Sequence, residues 1–401
     1  MRVAFLSTSG HLGGAEVSLR DILASLRRAR PDWRLLLITP GDGRLVSEAT
    51  RLEVETRVLP YPPALARFGE RGAGGLTGVA RFLMAAGTAP GYIRHLRAAL
   101  VAARPDVVHA NGLKAHLVAA VATPSDAALV WHIHDYLRSR RLSARLLRLL
   151  AGRCDTVVAN SDSVAADVRG VFGRRVDVTR MYNGVDLDRF RPEGPVLDLD
   201  RQAGLPPAPA GTVRVGLVAV MAGWKGHDLF LEALARVGPD QPVRGYVVGG
   251  PIYDTEKSQR TLAELRARAA ALGLEGRVGF TGFVDEPARA MRALDVVVHA
   301  SVRPEPFGLV IAEAQACGRA VIATRAGGAA ELVDHGVDGL TFGLGDVNGL
   351  VAAIRRLAGD PELRARLGET AATRASRYDR WRLSETLVPL YTRLAERYAR
   401  P

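Results

Sequence analysis

Along this chain, short runs of Val, Leu, Ile and Ala alternate with longer stretches whose apolar residues recur every three or four positions. The short runs are Val3–Thr8, Trp33–Thr39, Val54–Leu59, Val107–Ala110, Ala128–His134, Thr156–Asn160 and Val176–Tyr182, then Val213–Val220, Val243–Val248, Val278–Phe283, Val296–Ala300 and Ala320–Thr324. They lack the polar alternation of a half-wet strand, so they predict strands covered on both faces. Strand and helix in repeated alternation predict α/β architecture: parallel sheets, doubly wound with helices. Residues 192–211 (PEGPVLDLDRQAGLPPAPAG) interrupt the series, rich in Pro and Gly and without a helical stripe. The pattern therefore predicts a first domain over 1–192, a linker over 193–211 and a second domain over 212–379. Trp381, Leu387, Leu390, Tyr391 and Leu394 then fall on one side of a helix at 380–401. No strand follows that helix, so it is expected to return and pack on the first domain. Pro and Gly also cluster at 60–75, which reads as a mobile loop.

A length of 401 residues suits two domains better than one core. The chain is 48% apolar and 24% charged, ordinary for a globular protein. No apolar run approaches the roughly 18 residues of a membrane span. The start, MRVAFLSTSG, enters a strand and a Gly-containing loop without the pattern of a signal peptide, so a cytoplasmic protein is expected. Two cysteines, Cys154 and Cys317, are too few for a disulfide framework or a cysteine-based metal site. Net charge is +12, and residues 1–195 hold 28 Lys and Arg against 18 Asp and Glu. The first half thus predicts an anionic contact, although no nucleic-acid partner is expected. Only three of the basic residues are lysines, Lys114, Lys225 and Lys257.

In doubly wound sheets, ligands bind beyond the carboxyl ends of the strands, so the residues there carry the chemistry. After the first strand, Gly13 and Gly14 would let the backbone approach a ligand at a helix start that favours an anion. A tight turn would look the same. The dinucleotide signature G-x-G-x-x-G is absent, so an NAD site is not supported. Strand Ala128–His134 ends in HIHD, and alternation sets His132 and His134 on one face. His134 there would hydrogen-bond a sugar hydroxyl or serve as a core or cap histidine. Lys225, between Gly223 and Gly226 at a helix start, suits a diphosphate, or is a solvated lysine in a turn. Glu305-Pro306-Phe307-Gly308 forms a loop before a helix that ends near Cys317. Gly308 would open that helix's first N–H groups to phosphate, while Glu305 and Glu313 would accept hydrogen bonds from sugar hydroxyls. Gly327 and Gly328 repeat the strand–glycine–helix arrangement of Gly13 and Gly14.

Taken together, GGAE at 13–16, HD at 134–135, NGVDLDRF at 183–190, WKGHD at 224–228, EPFGLVIAEA at 305–314 and GG at 327–328 resemble the GT4 family of retaining glycosyltransferases over nearly the whole chain. The resemblance implies the GT-B fold, two Rossmann-like domains facing a central cleft, with an acceptor-binding first domain and a nucleotide-sugar donor domain second. It implies ribose binding by Glu313 and contact of Glu305 with the donor sugar's hydroxyls and transferring face. Phe307, Gly308 and Leu309 would form the loop at sugar and phosphates, Lys225 would meet the diphosphate, Gly13 and Gly14 would cover the phosphates, and His134 would touch the donor sugar. One position departs: the family usually sets an Arg five residues before that lysine, and here stands Val220. Arg303 is the candidate replacement.

The donor would be a UDP- or GDP-linked sugar, and the acceptor a glycan, lipid-linked or small-molecule hydroxyl. With no Asp-x-Asp motif in suitable context, neither metal nor another cofactor is expected. A sugar phosphorylase, a nucleotide-sugar epimerase and a non-catalytic nucleotide-sugar binder stay open as alternatives. Arg138, Arg141, Arg145 and Arg148 form one helical stripe over 137–153, and Leu142, Leu146, Leu149 and Leu150 another. That pairing suits either peripheral contact with an anionic membrane or an ordinary packed helix with solvated arginines.

Overall fold

All twelve expected strands form in the computed structural model, which describes residues 1–66, 76–251 and 260–398, the side chains of 76–86 excepted. The chain divides into two units, Met1–Gly184 with the segment from Arg380, and Val185–Asp379. Residues 67–75 of the expected mobile loop, Lys257 and the last three residues lie outside the described part.

The first unit holds seven parallel strands, β1 (Arg2–Ser7), β2 (Arg34–Thr39), β3 (Glu55–Val58), β4 (Val107–Asn111), β5 (Ala128–Ile133), β6 (Thr156–Ala159) and β7 (Asp177–Arg180), in the order β3-β2-β1-β4-β5-β6-β7. Alternation along β1 shows why its run is apolar throughout. Val3 and Phe5 join one buried layer, with Leu19, Ile22 and Leu23 of the helix Gly14–Ala29. Ala4 and Leu6 join the opposite layer, with Leu96, Leu100 and Val118. The helix Leu383–Tyr398 belongs to this unit and buries Leu387, Leu390, Tyr391 and Leu394 in the first layer. Full burial of such side chains is worth about 1.5–3 kcal/mol each. Tyr391 also sets its hydroxyl 2.7 Å from His109 Nδ1, tying the terminal helix to β4.

The second unit holds six parallel strands, β8 (Val213–Val218), β9 (Val243–Val248), β10 (Val278–Gly282), β11 (Val296–His299), β12 (Ala320–Thr324) and β13 (Leu340–Phe342), in the order β10-β9-β8-β11-β12-β13. The three-residue β13 was not expected; it pairs Leu340 with Ile322 at the sheet's edge, and its polar surroundings hide it. Both sheets change direction once, between β1 and β4 and between β8 and β11. Loops diverge to opposite faces there and leave a crevice beyond the strands' carboxyl ends.

The expected linker is corrected. The boundary falls at Gly184/Val185, not at 192, because residues 185–211 are built into the second unit. Val185 N–H donates to Tyr378 O at 2.6 Å, and 193–211 contains a helix, Leu199–Ala203. Its Asp200 is buried and accepts from Tyr246 Oη at 2.5 Å, Arg244 Nη1 at 2.7 Å and Ala208 N at 2.9 Å. Burial alone would raise the Asp200 carboxyl, but these donors outweigh it and hold it down to about 2. A strap anchored by a buried carboxylate is part of the domain it straps.

Candidate active site

In the second unit, the loops after β8 and β11 meet at the direction change. Gly226 has φ +77°, and an added Cβ would lie 1.9 Å from Ala300 O, so only glycine lets the lysine turn approach β11. Val302 N–H donates to Trp224 O at 2.9 Å, a second tie between the loops. Lys225 closes a short 3-10 turn, Gly223–Lys225, with its Nζ 2.6 Å from Glu305 Oε1. Ser301 Oγ donates to the same oxygen. His299 Nε2 lies 3.3 Å from Glu305 Oε2, at ion-pair distance without good hydrogen-bond alignment. Glu305 is 8% exposed. Burial alone would raise its carboxyl, but the Lys225 ammonium and then His299 hold it well below the usual carboxylate range.

Glu305 also fixes the next loop. Its carbonyl accepts from Gly328 N at 2.8 Å, and it bridges Gly327 as a parallel strand would. Gly327 and Gly328 thus stand beside Glu305, but they start a four-residue 3-10 turn, Gly328–Glu331, and the helix expected there does not form. Gly308, φ +96°, caps the helix Leu309–Ala316, and Glu313 follows half-buried in its second turn. The Phe307 side chain is 3% exposed and packs edge-on against Tyr378, centroids 6.1 Å apart. What the 307–309 loop offers a ligand is therefore mainly backbone and the half-buried Leu309. Arg303 is exposed on a bend two residues from Glu305, and Val220 is half-buried at the start of the lysine loop.

The first unit repeats the plan. Gly13 caps the sixteen-residue helix Gly14–Ala29 at φ −109°, which any residue can adopt, and a Cβ on Gly14 would meet nothing within 4 Å. Chain geometry therefore does not require glycine at 14, whose remaining effect is to leave that helix start uncovered. His134 follows β5, its Nε2 2.7 Å from Asn111 Oδ1, while Asn111 Nδ2 donates to Ala15 O at 3.1 Å. Since Asn111 uses its amide N–H on Ala15, its Oδ1 must accept, and His134 carries its proton on Nε2. His134 Nδ1 is buried with no partner. Burial, then His116, pushes the imidazole down to about 3. The hydroxyl contact expected of His134 therefore requires Nε2 to leave Asn111.

Sequence reading missed Asn111, His299 and Ser301. Each follows or ends a strand at the carboxyl edge, the one signal that could have marked them. His109, His116 and His132 are buried around β4 and β5, with His109 pushed down to about 3 and His116 to about 4, chiefly by desolvation. Both cysteines are free and buried, and burial raises both thiols. Among the described residues, no group of three His, Cys, Asp or Glu is arranged to hold a metal ion, and no helix is long and apolar enough to cross a membrane. On the helix Arg141–Leu150, Ser143, Ala144 and Leu147 are buried. Arg141, Arg145 and Arg148 are exposed beside Leu142 at 51% and Leu149 at 81% exposure, and Arg138 just before the helix is exposed too.

Comparison with known proteins gives this geometry a family. The model for Glycosyltransferase Family 4 matches residues 12–189, and that for Glycosyl transferases group 1 matches 207–374. D-inositol 3-phosphate glycosyltransferase 2 of Catenulispora acidiphila is 34% identical over 253 residues, 60% of this chain and 57% of that protein. A lipopolysaccharide core biosynthesis mannosyltransferase, LpcC, of Rhizobium leguminosarum is 32% identical over 233 residues, 58% of this chain and 62% of that one. The matched region thus spans less than two thirds of either relative. The crystal structure of Anabaena Alr3699/HepE in complex with UDP and glucose superposes with a TM-score of 0.78 at 29% identity, covering 98% of this chain and 99% of that one. With the two family models adjoining across both units, the chain belongs to the GT4-type, group 1 glycosyltransferases of the GT-B fold.

Proposed function

We propose that this protein is a retaining glycosyltransferase that moves a sugar from a nucleoside-diphosphate sugar to a hydroxyl acceptor, in the assembly of a cell-surface polysaccharide, glycolipid or glycoside. The observation that carries the reading is the Lys225–Glu305 pair at the direction change of the second sheet, beside Gly327–Gly328. The second unit would take the donor and the first the acceptor. As the bond from the anomeric carbon to the phosphate oxygen breaks, charge collects on the diphosphate. An ammonium and preorganised N–H groups there are worth several kcal/mol of transition-state stabilisation, with no metal required. The acceptor oxygen bonds to the same face of the anomeric carbon, and its proton passes to the departing diphosphate. Glu305 would meet the sugar's hydroxyls and Glu313 the ribose. UDP is the favoured carrier because Alr3699/HepE has been crystallised with UDP-glucose at 28% identity. Arg303 would supply the charge that Val220 lacks.

Calorimetric titration with UDP and GDP, followed by turnover of the matching sugar donors, tests the reading. Binding and transfer should both fall at least about a hundredfold in Lys225→Ala. Unchanged turnover in Arg303→Ala would remove Arg303 from its role. Phosphorolysis in free phosphate, epimerisation without acceptor, or donor binding without transfer to any acceptor would each replace the transferase reading.

A second observation favours a membrane-borne acceptor. Two leucines exposed among four arginines suit an anionic bilayer surface. In this reading the protein works in the cytoplasm at the membrane's inner face. Co-sedimentation with anionic but not neutral liposomes, lost in R145E/R148E, is expected; equal sedimentation with both would sink it.

A further inference from the structure

The helix Leu309–Ala316, which carries Glu313, also buries an amide side chain, that of Gln315. Gln315 Nε2 donates to Leu332 O at 2.9 Å, which fixes the nitrogen end of the amide. Its Oε1 is buried without a partner. An unmet buried acceptor costs at least as much as one neutral hydrogen bond contributes. Nor does Leu332 O depend on Gln315 for a donor, because Arg377 Nη2 donates to it at 3.0 Å. A methionine of similar length and shape would fill the same space and leave no polar atom unmet. The amide therefore adds little to stability. What it adds is direction, since a packed methyl or thioether does not orient a carbonyl.

That carbonyl ends the turn Gly328–Glu331, which starts beside Glu305. The turn is bonded internally, Ala330 N to Gly327 O at 3.2 Å and Leu332 N to Ala329 O at 3.3 Å, so its two ends move together. At its start, Gly328 N donates to Glu305 O at 2.8 Å. Ala329 lies against the start of the helix, where a Cβ on Gly308 would come within 3.5 Å of Ala329 Cβ. Gln315, two turns further along that helix, reaches the far end. One helix thus touches the turn at both ends, by packing at Gly308 and by a directed bond at Gln315. We propose that Gln315 is a positioning residue: it orients the 327–332 segment, and so aims the backbone that Gly327 and Gly328 present beside Glu305 at the sugar-phosphate of the donor. The inference rests on the donor reading above and deepens it. No covalent bond changes and no proton moves.

Native-state hydrogen exchange of the full chain, read by mass spectrometry, follows the segment directly. Thermal unfolding and calorimetric titration with UDP, and in parallel GDP, accompany it. In Gln315→Met, amides of 326–333 should exchange about two- to tenfold faster, the weight of one neutral hydrogen bond. The thermal midpoint should stay where it is or rise, which a merely structural role would not allow. Whichever nucleotide the unaltered protein binds should bind the variant about two- to tenfold more weakly. Gln315→Leu, which also lacks the donor, should behave alike and serves should the methionine variant fail to fold. Failure of both to fold, or a midpoint lowered by more than about 5 °C, makes Gln315 a stability element and overturns the inference. So does unchanged exchange at 326–333, or unchanged nucleotide affinity in a variant whose exchange has quickened. Each of these results leaves the donor reading intact. Binding of neither nucleotide by the unaltered protein overturns both.

Discussion

Replacing Lys225 by Met and Glu305 by Gln, singly and together, isolates the interaction at the centre of the second unit. The charged atoms are 2.6 Å apart, and the side chains are 23% and 9% exposed. At an effective dielectric of about 20, the gross attraction over that distance is about 6 kcal/mol. Desolvation of Glu305 and partial solvation of Lys225 take back much of it, leaving about 2–3 kcal/mol of coupling. The chain has four tryptophans, and Trp224 is the single one in the second unit. Urea unfolding followed by fluorine NMR of 5-fluorotryptophan-labelled protein therefore reads that unit separately. The sign of the pH dependence follows from the lowered Glu305 carboxyl. Its contribution is fully present above the unfolded value near about 4.3 and is lost as pH falls toward the folded value. Coupling should thus be equal at pH 7 and pH 5.5 and fade only in stronger acid. A coupling below about 0.5 kcal/mol at pH 7, typical of an exposed pair, would refute the reasoning.

Three further outcomes are expected. Gly226→Ala should destabilise the second unit by at least about 2 kcal/mol, through φ +77° and the clash with Ala300 O, and should abolish nucleotide binding seen by calorimetry. Asp200→Ala should cost about 3–5 kcal/mol in urea unfolding, because Arg244 loses its partner in a buried setting. His109, His116 and His134 are held low by burial, at about 3, 4 and 3, so the first unit favours their neutral forms. Its stability should fall progressively as pH drops below the ordinary histidine value of about 6.5, and Tyr391→Phe, which strands His109 Nδ1, should lower it by a further 1–2 kcal/mol or so in pH-dependent thermal unfolding.

What the sequence determined by itself is local and repetitive. Runs such as Val213–Val218 and Ala128–Ile133 are apolar on both faces, and that pattern has one stable use, a strand covered on both sides. The order of motifs likewise carried the family, because each sits at a strand–helix junction whose backbone needs are local. Tertiary structure alone decided which junctions meet. Nothing in the chain between them reveals that Lys225 lies against Glu305, eighty positions on; the packing of β8 beside β11 and the missing side chain of Gly226 bring them together. The Pro-rich 193–211 segment reads as a linker because its anchor, Asp200, finds Arg244 and Tyr246 only after β9 has joined the sheet. The Phe307 ring finds Tyr378, His134 finds Asn111 and His299 comes to face Glu305 only once the chain has folded. Such assignments depend on long-range packing, and a one-dimensional pattern carries the propensity of each segment but not the partner that closes over it.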